Sequence, residues 1–244
     1  MAANPTAAMI VIGDEILSGR TRDSNLHFLA GKLTDHGIGL VEARVIGDDR
    51  QTIIDTVNAL RARHDHVFTS GGIGPTHDDI TAEAVAAAFG LTADIRDDAR
   101  ALLQAYFDSR GIEATPARMR MARIPEGAAL IDNPVSVAPG FSLGNVHVMA
   151  GVPRVFEAML TGLLPGLVGG VPVRSRTLRM LRGEGEVADI LAGVAGEYPD
   201  LSFGSYPFQQ DGRFGTNLVI RGTDESLLDQ ALSRLESALS VGAA

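Results

Sequence analysis

The sequence has no cysteine, which excludes disulfides, thiolate metal sites and a cysteine nucleophile. Any metal must then be held by oxygen or imidazole. No window reaches the roughly 18 consecutive apolar residues that span a bilayer, and the opening MAANPTAAMIVIGDE has no basic segment leading into an apolar one. The expectation is a soluble, cytoplasmic protein with no membrane partner. A single lysine stands against 20 arginines, a bias read as genome composition. Basic and acidic residues number 14 and 20 up to residue 170, and 7 and 10 beyond it. Neither part has the positive balance of a nucleic-acid surface, so nucleic acid is not expected as a partner. No GxGxxG follows a strand-like run and no GxSxG elbow occurs, which argues against a nicotinamide site and a serine hydrolase. The histidines show no metal-ligand spacing. His27, His36 and His147 stand apart, and His64 and His66 flank a turn, so all are read as structural.

What is present is 244 residues with 45 % apolar content, enough for one large domain or a standard domain and a small one. Ala8 to Gly13 is a short apolar run closed by Gly and Asp, as a buried parallel strand requires. A helix capped by Asp23 or Ser24 follows, with Leu26, Leu29, Ala30 and Leu33 in helical period and Gly37 as its stop. Residues 38–47 read as strand, 51–63 as helix, 66–70 as strand and 81–90 as helix. Such alternation predicts right-handed βαβ crossovers with helices on both faces of the sheet. Two helices over 96–123, strands at 128–132 and 146–150, and a helix from Pro153 to about Leu164 complete this part. Pro and Gly crowd residues 165–172, where a domain boundary is placed. Beyond it the order is strand (174–181), helix (186–196), strand (201–207), strand (215–222) and helix (224–240).

Four segments carry candidate chemistry. In the first, Thr69 to Thr81, Gly71, Gly72 and Gly74 permit positive φ and let a ligand approach the main chain. Exposed amides ahead of the helix favour an anion, and the hydroxyls of Thr69, Ser70, Thr76 and Thr81 add donors around Pro75. Asp78 and Asp79 would repel a bare phosphate, so a divalent cation is the natural mediator. In the second, Gly13-Asp14-Glu15, an acidic pair directly follows the first strand, beside the first segment if the two strands flank the switch point. The third, Asn133 to Phe141 with Pro139 and Gly140, and the fourth, Ala150-Gly151-Val152-Pro153, are loops suited to forming a pocket wall. Asp48 and Asp49, after the second strand, could also face the cleft, although an acidic pair at a helix start is the simpler reading. Arg118, Arg120 and Arg123 form a basic cluster that could meet a phosphate, although such a cluster is more often a solvated helix face.

In this order the motifs SGGIGPTHDDIT, with GDEILSGRTRDSN upstream and IPEGA, NPxxxAPGF and GVP downstream, resemble those of the CinA-like, molybdopterin-binding-domain family. The likeness spans nearly the whole chain. It implies a three-layer α/β/α domain of mostly parallel strands over residues 1–170, and a small KH-like α+β domain over 173–244 whose RTLRMLRGEGEVADIL and SYPFQQDG carry the resemblance. The resemblance does not extend to the C-terminal deamidase domain of fuller CinA proteins, which is not expected here. The implied activity is metal-dependent hydrolysis of the pyrophosphate bond of ADP-ribose or a related dinucleotide such as FAD. Asp14, Glu15 and Asp78 then take the catalytic positions, Asp78 and Asp79 the metal positions, and Mg²⁺, Mn²⁺ or Co²⁺ the cofactor role, with no redox cofactor. Phosphate or ligand contacts fall on Gly13, Thr69, Ser70, the Gly71–Gly74 turn, Pro75, Thr76, Thr81, Asn133, Pro139, Gly140, Gly151 and Pro153. A small-molecule nucleotide or pterin is the implied partner, and a homo-oligomer, dimer or trimer, is expected. The chain departs from the pattern at Ser136, Val137, Ala150 and Val155, where the family carries Gly, Thr, Pro and Glu, with Glu157 a nearby substitute carboxylate. Two further readings stay open: binding of molybdopterin or a nucleotide without turnover, and molybdopterin adenylyl transfer. For the C-terminal part, which lacks a basic GxxG loop, a dimerisation or lid role is expected.

Overall fold

A computed structural model describes residues 4–241. The elements, in chain order, are β1 (Thr6–Ile12), α1 (Asp14–Leu17), α2 (Asn25–Asp35), β2 (Gly39–Ile46), α3 (Arg50–Arg61), β3 (His66–Ser70), α4 (Thr81–Ala88), β4 (Ala93–Ile95) and α5 (Asp97–Arg110). They continue with α6 (Pro116–Met119), β5 (Arg123–Pro125), β6 (Ala129–Ile131), β7 (Gly140–Leu143), β8 (Val146–Met149), α7 (Pro153–Leu163), β9 (Arg174–Met180), α8 (Glu184–Glu197), β10 (Ser202–Gln210), β11 (Arg213–Gly222) and α9 (Glu225–Val241). The chain divides into two compact units, Met1–Gly170 and Val171–Ala244. No helix among the described residues is long and apolar enough to cross a membrane.

The first unit is a sheet in the order β2-β1-β3-β8-β7-β6. Strands β2, β1, β3 and β8 are parallel, while β7 and β6 run antiparallel to their neighbours. Strand β1 shows why the sequence reads as an unbroken apolar run, because both of its faces are buried. Ala8, Ile10 and Ile12 enter the core with Ile53, Val57 and Leu60 of α3, Val85 of α4 and Leu103 of α5. Ala7, Met9 and Val11 enter a second core with Leu29 and Leu33 of α2 and Phe156, Met159 and Leu160 of α7. The period of two thus sends alternate residues into two layers of helices. Each large side chain buried in this way contributes about 1.5–3 kcal/mol.

Three short strands lie outside the sequence reading. The sequence of residues 133–141 reads as a loop throughout, yet Gly140 and Phe141 open β7, which pairs with both β6 and β8. A strand of four residues carries too little periodicity to show itself, and only its partners define it. Strands β4 and β5 form a separate two-stranded pair for the same reason.

The second unit is an antiparallel sheet, β10-β11-β9, with α8 and α9. Val187 and Val194 of α8, Leu218 and Ile220 of β11, and Leu228, Ala231, Leu235 and Leu239 of α9 form its core.

Candidate functional site

Strand order places β1 between β2 and β3, so the chain leaves β1 toward one side and returns on the other. The carboxyl ends of β1 and β3 therefore flank a crevice, where ligands of open α/β sheets collect. The loops that meet there are tied by short bonds. The Gly13 amide donates to the Ile46 carbonyl (3.0 Å) and the Gly71 amide to that of Met149 (3.2 Å). Asn25, buried at the start of α2, donates through Nδ2 to Ser70 Oγ (2.7 Å) and to the Gly151 carbonyl (2.8 Å). Asp23, the expected cap, accepts from the Leu26 amide at 3.0 Å.

The glycine turn is fixed by space as well as by torsion. Gly71 has φ 110°, and a Cβ there would lie 2.1 Å from the Ile12 carbonyl oxygen. Gly72 has φ 68°, with Thr81 Oγ1 equally close to the site of its missing side chain. Neither position tolerates a side chain without movement of the backbone or helix beside it. Asp79 closes the turn by accepting from the Thr76 amide (2.8 Å) and hydroxyl (2.5 Å). The amides of Gly72, Ile73 and Gly74 make no hydrogen bond among the described residues, and all three residues line the crevice.

A cavity of about 570 Å³ occupies the crevice. Of the residues expected to bind or react, Gly13, Glu15, Gly71, Gly72, Gly74, Pro75, Asp78, Asp79, Asn133, Gly151 and Pro153 line it. Others lie outside its wall, each for a visible reason. The Asp14 carboxylate sits against Gly47, and its amide bonds to Asp48. Thr69, Ser70 and Thr81 are buried behind the turn, and Thr76 is engaged by Asp79. Pro139 is buried, and Gly140 serves a close approach within the sheet, since a Cβ there would meet the Val148 carbonyl at 2.3 Å. His77 is 97 % exposed.

The acidic pair divides between its two readings. Asp49 caps α3 by accepting from Thr52, whereas Asp48 turns into the cavity. Burial, and then the carboxylates of Asp14, Glu15 and Asp78, push the Asp48 carboxyl above its ordinary range despite the Asp14 amide that it accepts. The signal was a DD pair, whose two members only the fold distinguishes. Met121 and Ser136 also join the wall, as does Val155, one of the positions where the family pattern carries a carboxylate. Glu157 is not in the wall. In the 133–140 loop, Asn133 binds Ser136 Oγ and the Ala138 carbonyl through Nδ2, and accepts from the Val135 and Ser136 amides. Val137 there has φ 67°, a left-handed conformation costly for a β-branched residue.

The wall thus carries Glu15, Asp48, Asp78 and Asp79 and no basic side chain. Donors near Asp78, the Thr76 hydroxyl foremost and then its own amide, with His77 and Arg120 adding positive charge, hold that carboxyl below its ordinary value. Among the described residues no three carboxylates or histidines gather closely enough to cage a metal ion. The donor set instead suits a hard cation that takes one or two carboxylates and completes its shell with ligand oxygens and water.

The arginine cluster does not act as one. Arg118 donates to the Glu113 carbonyl, Arg123 pairs with Glu83, and Arg120 faces a small space beneath the glycine turn. His147 does not stand apart either. Its Nε2 lies 3.2 Å from His66 Nδ1 and its Nδ1 lies 2.8 Å from Ser142 Oγ, a cluster at the end of the strands away from the cavity.

A family model described as "Probable molybdopterin binding domain" matches residues 8–168, and one described as "FAD synthase, middle domain" matches residues 172–244. A protein of Pyrobaculum arsenaticum is 36 % identical over 210 residues, covering 82 % of this chain and 79 % of its own. A CinA-like protein of Myxococcus xanthus is 32 % identical over 243 residues, covering 93 % of this chain but 57 % of its own length. The crystal structure of CinA from Thermoplasma acidophilum, described as of unknown function, matches with a TM-score of 0.62 at 35 % identity, over 68 % of this chain and 100 % of that one.

Proposed function

The chain belongs to the molybdopterin-binding-domain family, with CinA-like relatives, and on that premise we propose that its crevice binds and hydrolyses the diphosphate of ADP-ribose or a related dinucleotide such as FAD. The observation that carries this reading is the pairing of open amides at Gly72, Ile73 and Gly74 with the carboxylates of Glu15, Asp48, Asp78 and Asp79 around one cavity. Amides in series hold phosphate oxygens. Carboxylates beside them make sense when a cation stands between the two.

In this mechanism the Gly72–Gly74 amides orient the diphosphate, and Asp78 with Asp79 holds the divalent ion. When bound, Mg²⁺, Mn²⁺ or Co²⁺ supplies charge neutralisation of the diphosphate and of its leaving oxygen. Glu15, in the wall where Asp14 is not, orients a water molecule. The water oxygen bonds to one phosphorus and the bridging oxygen departs with the other phosphate, giving AMP and ribose 5-phosphate from ADP-ribose. Asp48, whose proton affinity is raised, accepts the proton that the water loses.

The test is incubation of the protein with ADP-ribose or FAD and each metal. AMP release is expected, abolished by chelation, with kcat down about a hundredfold or more in Asp78→Asn. No AMP with any of the three metals defeats the proposal. Val155 in the wall, lacking a carboxylate, favours one other reading, a nucleotide or pterin binder without turnover. Stabilisation of the melt by ligand with no product formed would select it.

A further inference from the structure

A wall of four carboxylates facing a diphosphate leaves a charge imbalance that one divalent ion offsets only in part. The protein has a cation within reach. Arg118 and Arg123, its neighbours in sequence, are satisfied by Glu113 and Glu83. Arg120 has no hydrogen bond and no ion pair among the described residues, and its Nε is buried without an acceptor. It shares a space of about 10 Å³ with Gly72, Ile73, Gly74, Asp79 and the paired Glu83 and Arg123, which is room for no more than a single water. Residues Gly72 to Gly74, Asp79 and Met121 line this space and the main cavity alike.

A buried guanidinium nitrogen without an acceptor costs stability, and native proteins keep few such groups. The helical turn that carries Arg120 also presents Met121 to the cavity, so its backbone is anchored at the site itself. Neither Asp79, which accepts from Thr76 through one oxygen, nor Glu83, which pairs with Arg123, bonds to it. An acceptor supplied from outside the chain accounts for the arrangement. A space the size of one oxygen atom beside a guanidinium suits a phosphate oxygen, whose charge-assisted bond is stronger than that of a water.

We propose that Arg120 is a ligand-binding residue of this site, donating to an oxygen of the same phosphate that the Gly72–Gly74 amides hold. The inference rests on the diphosphate reading above. It makes the glycine turn a clamp with amides on one side and a guanidinium on the other, set against the carboxylates that take the metal. It also divides the three arginines of this stretch into two structural residues and one functional one.

Titration calorimetry with the non-hydrolysable α,β-methylene-ADP and Mg²⁺ tests it on the full chain. Arg120→Gln is expected to weaken binding by about tenfold or more, the loss of a charge-assisted hydrogen bond, while the melting midpoint changes little. Arg120→Lys, which keeps the charge and loses the fork, is expected to fall between the two. If Arg120→Gln does not fold, Arg120→Lys carries the test, with several-fold weaker binding expected and wild-type affinity overturning the proposal. Binding by a folded Arg120→Gln within about twofold of wild type overturns the role of Arg120 and leaves the diphosphate reading standing. Absence of binding by the wild type with Mg²⁺, Mn²⁺ or Co²⁺ overturns both.

Discussion

The two ends of the parallel strands in the first unit treat polar groups in opposite ways. At the carboxyl end, Asn25 Oδ1, Thr69 Oγ1, Thr81 Oγ1 and Arg120 Nε are buried without partners. Three amides of the glycine turn are open, and Val137 is held at positive φ. At the amino end the polar groups close on one another. His66 meets His147, His147 meets Ser142, and Asn145 donates to the carbonyls of Arg61 (2.9 Å) and His64 (2.8 Å). Even His64, whose ring nitrogens make no hydrogen bond, has Nε2 3.5 Å from Glu42. Open polar groups and strained backbone lower stability, and proteins retain them where a ligand completes them. Within one sheet, then, one end is organised for stability and the other for binding.

The largest effect is expected from forcing a side chain into the open end. Gly71→Ala places a Cβ at φ 110° and 2.1 Å from the Ile12 carbonyl, so it should cost more than about 3 kcal/mol. Chemical denaturation measures this, and a loss under about 1 kcal/mol would mean that the turn adapts and its geometry is not obligatory.

The closed end is expected to fail with acid. Burial, and then the charge of His66, push the His147 imidazole from 6.5 down to about 4. The unfolded chain takes up this proton first as the pH falls through 6.5, and the folded chain only near 4. The stabilisation from a neutral His147 is therefore complete above pH 6.5, declines between 6.5 and 4, and is level below. The whole loss is at most about 3 kcal/mol. His147→Gln, compared with wild type across that window, should show a shallower decline. Parallel curves would show that His147 does not carry the acid sensitivity.

The smallest effect runs in the opposite direction. Val137→Gly removes a β-branched residue from a left-handed conformation and should stabilise by about 1 kcal/mol. The Asn133 bonds that hold the loop do not use the Val137 side chain, so ligand affinity should be unaffected. A destabilised Val137→Gly would place the strain elsewhere.

Long elements with a clear period were legible before the fold was known. Strand β1, the helices α2, α3 and α7, and the βαββα order of residues 174–241 follow from local apolar spacing and Gly or Pro stops. Strands β4, β5 and β7 were not, since three or four residues acquire strand character only through pairing. The glycine turn and its acidic pair announced themselves by composition. Which member of an acidic pair faces the ligand did not: Asp48 enters the cavity and Asp49 caps a helix, while Glu15 enters and Asp14 lies against Gly47.

The sequence by itself determined a parallel α/β unit followed by a small α+β unit, and a phosphate-like turn after the third strand, because these depend on neighbours within a few residues. Only the tertiary structure decided that Arg120 and Arg123, and not Arg118, reach the space beside that turn, that Arg123 is already paired there with Glu83, and that His147 joins His66. Residues adjacent along a chain turn to different sides within one helical turn or one strand step, and what each then meets is set by segments 40 and 81 residues away, as Arg123 meets Glu83 and His147 meets His66.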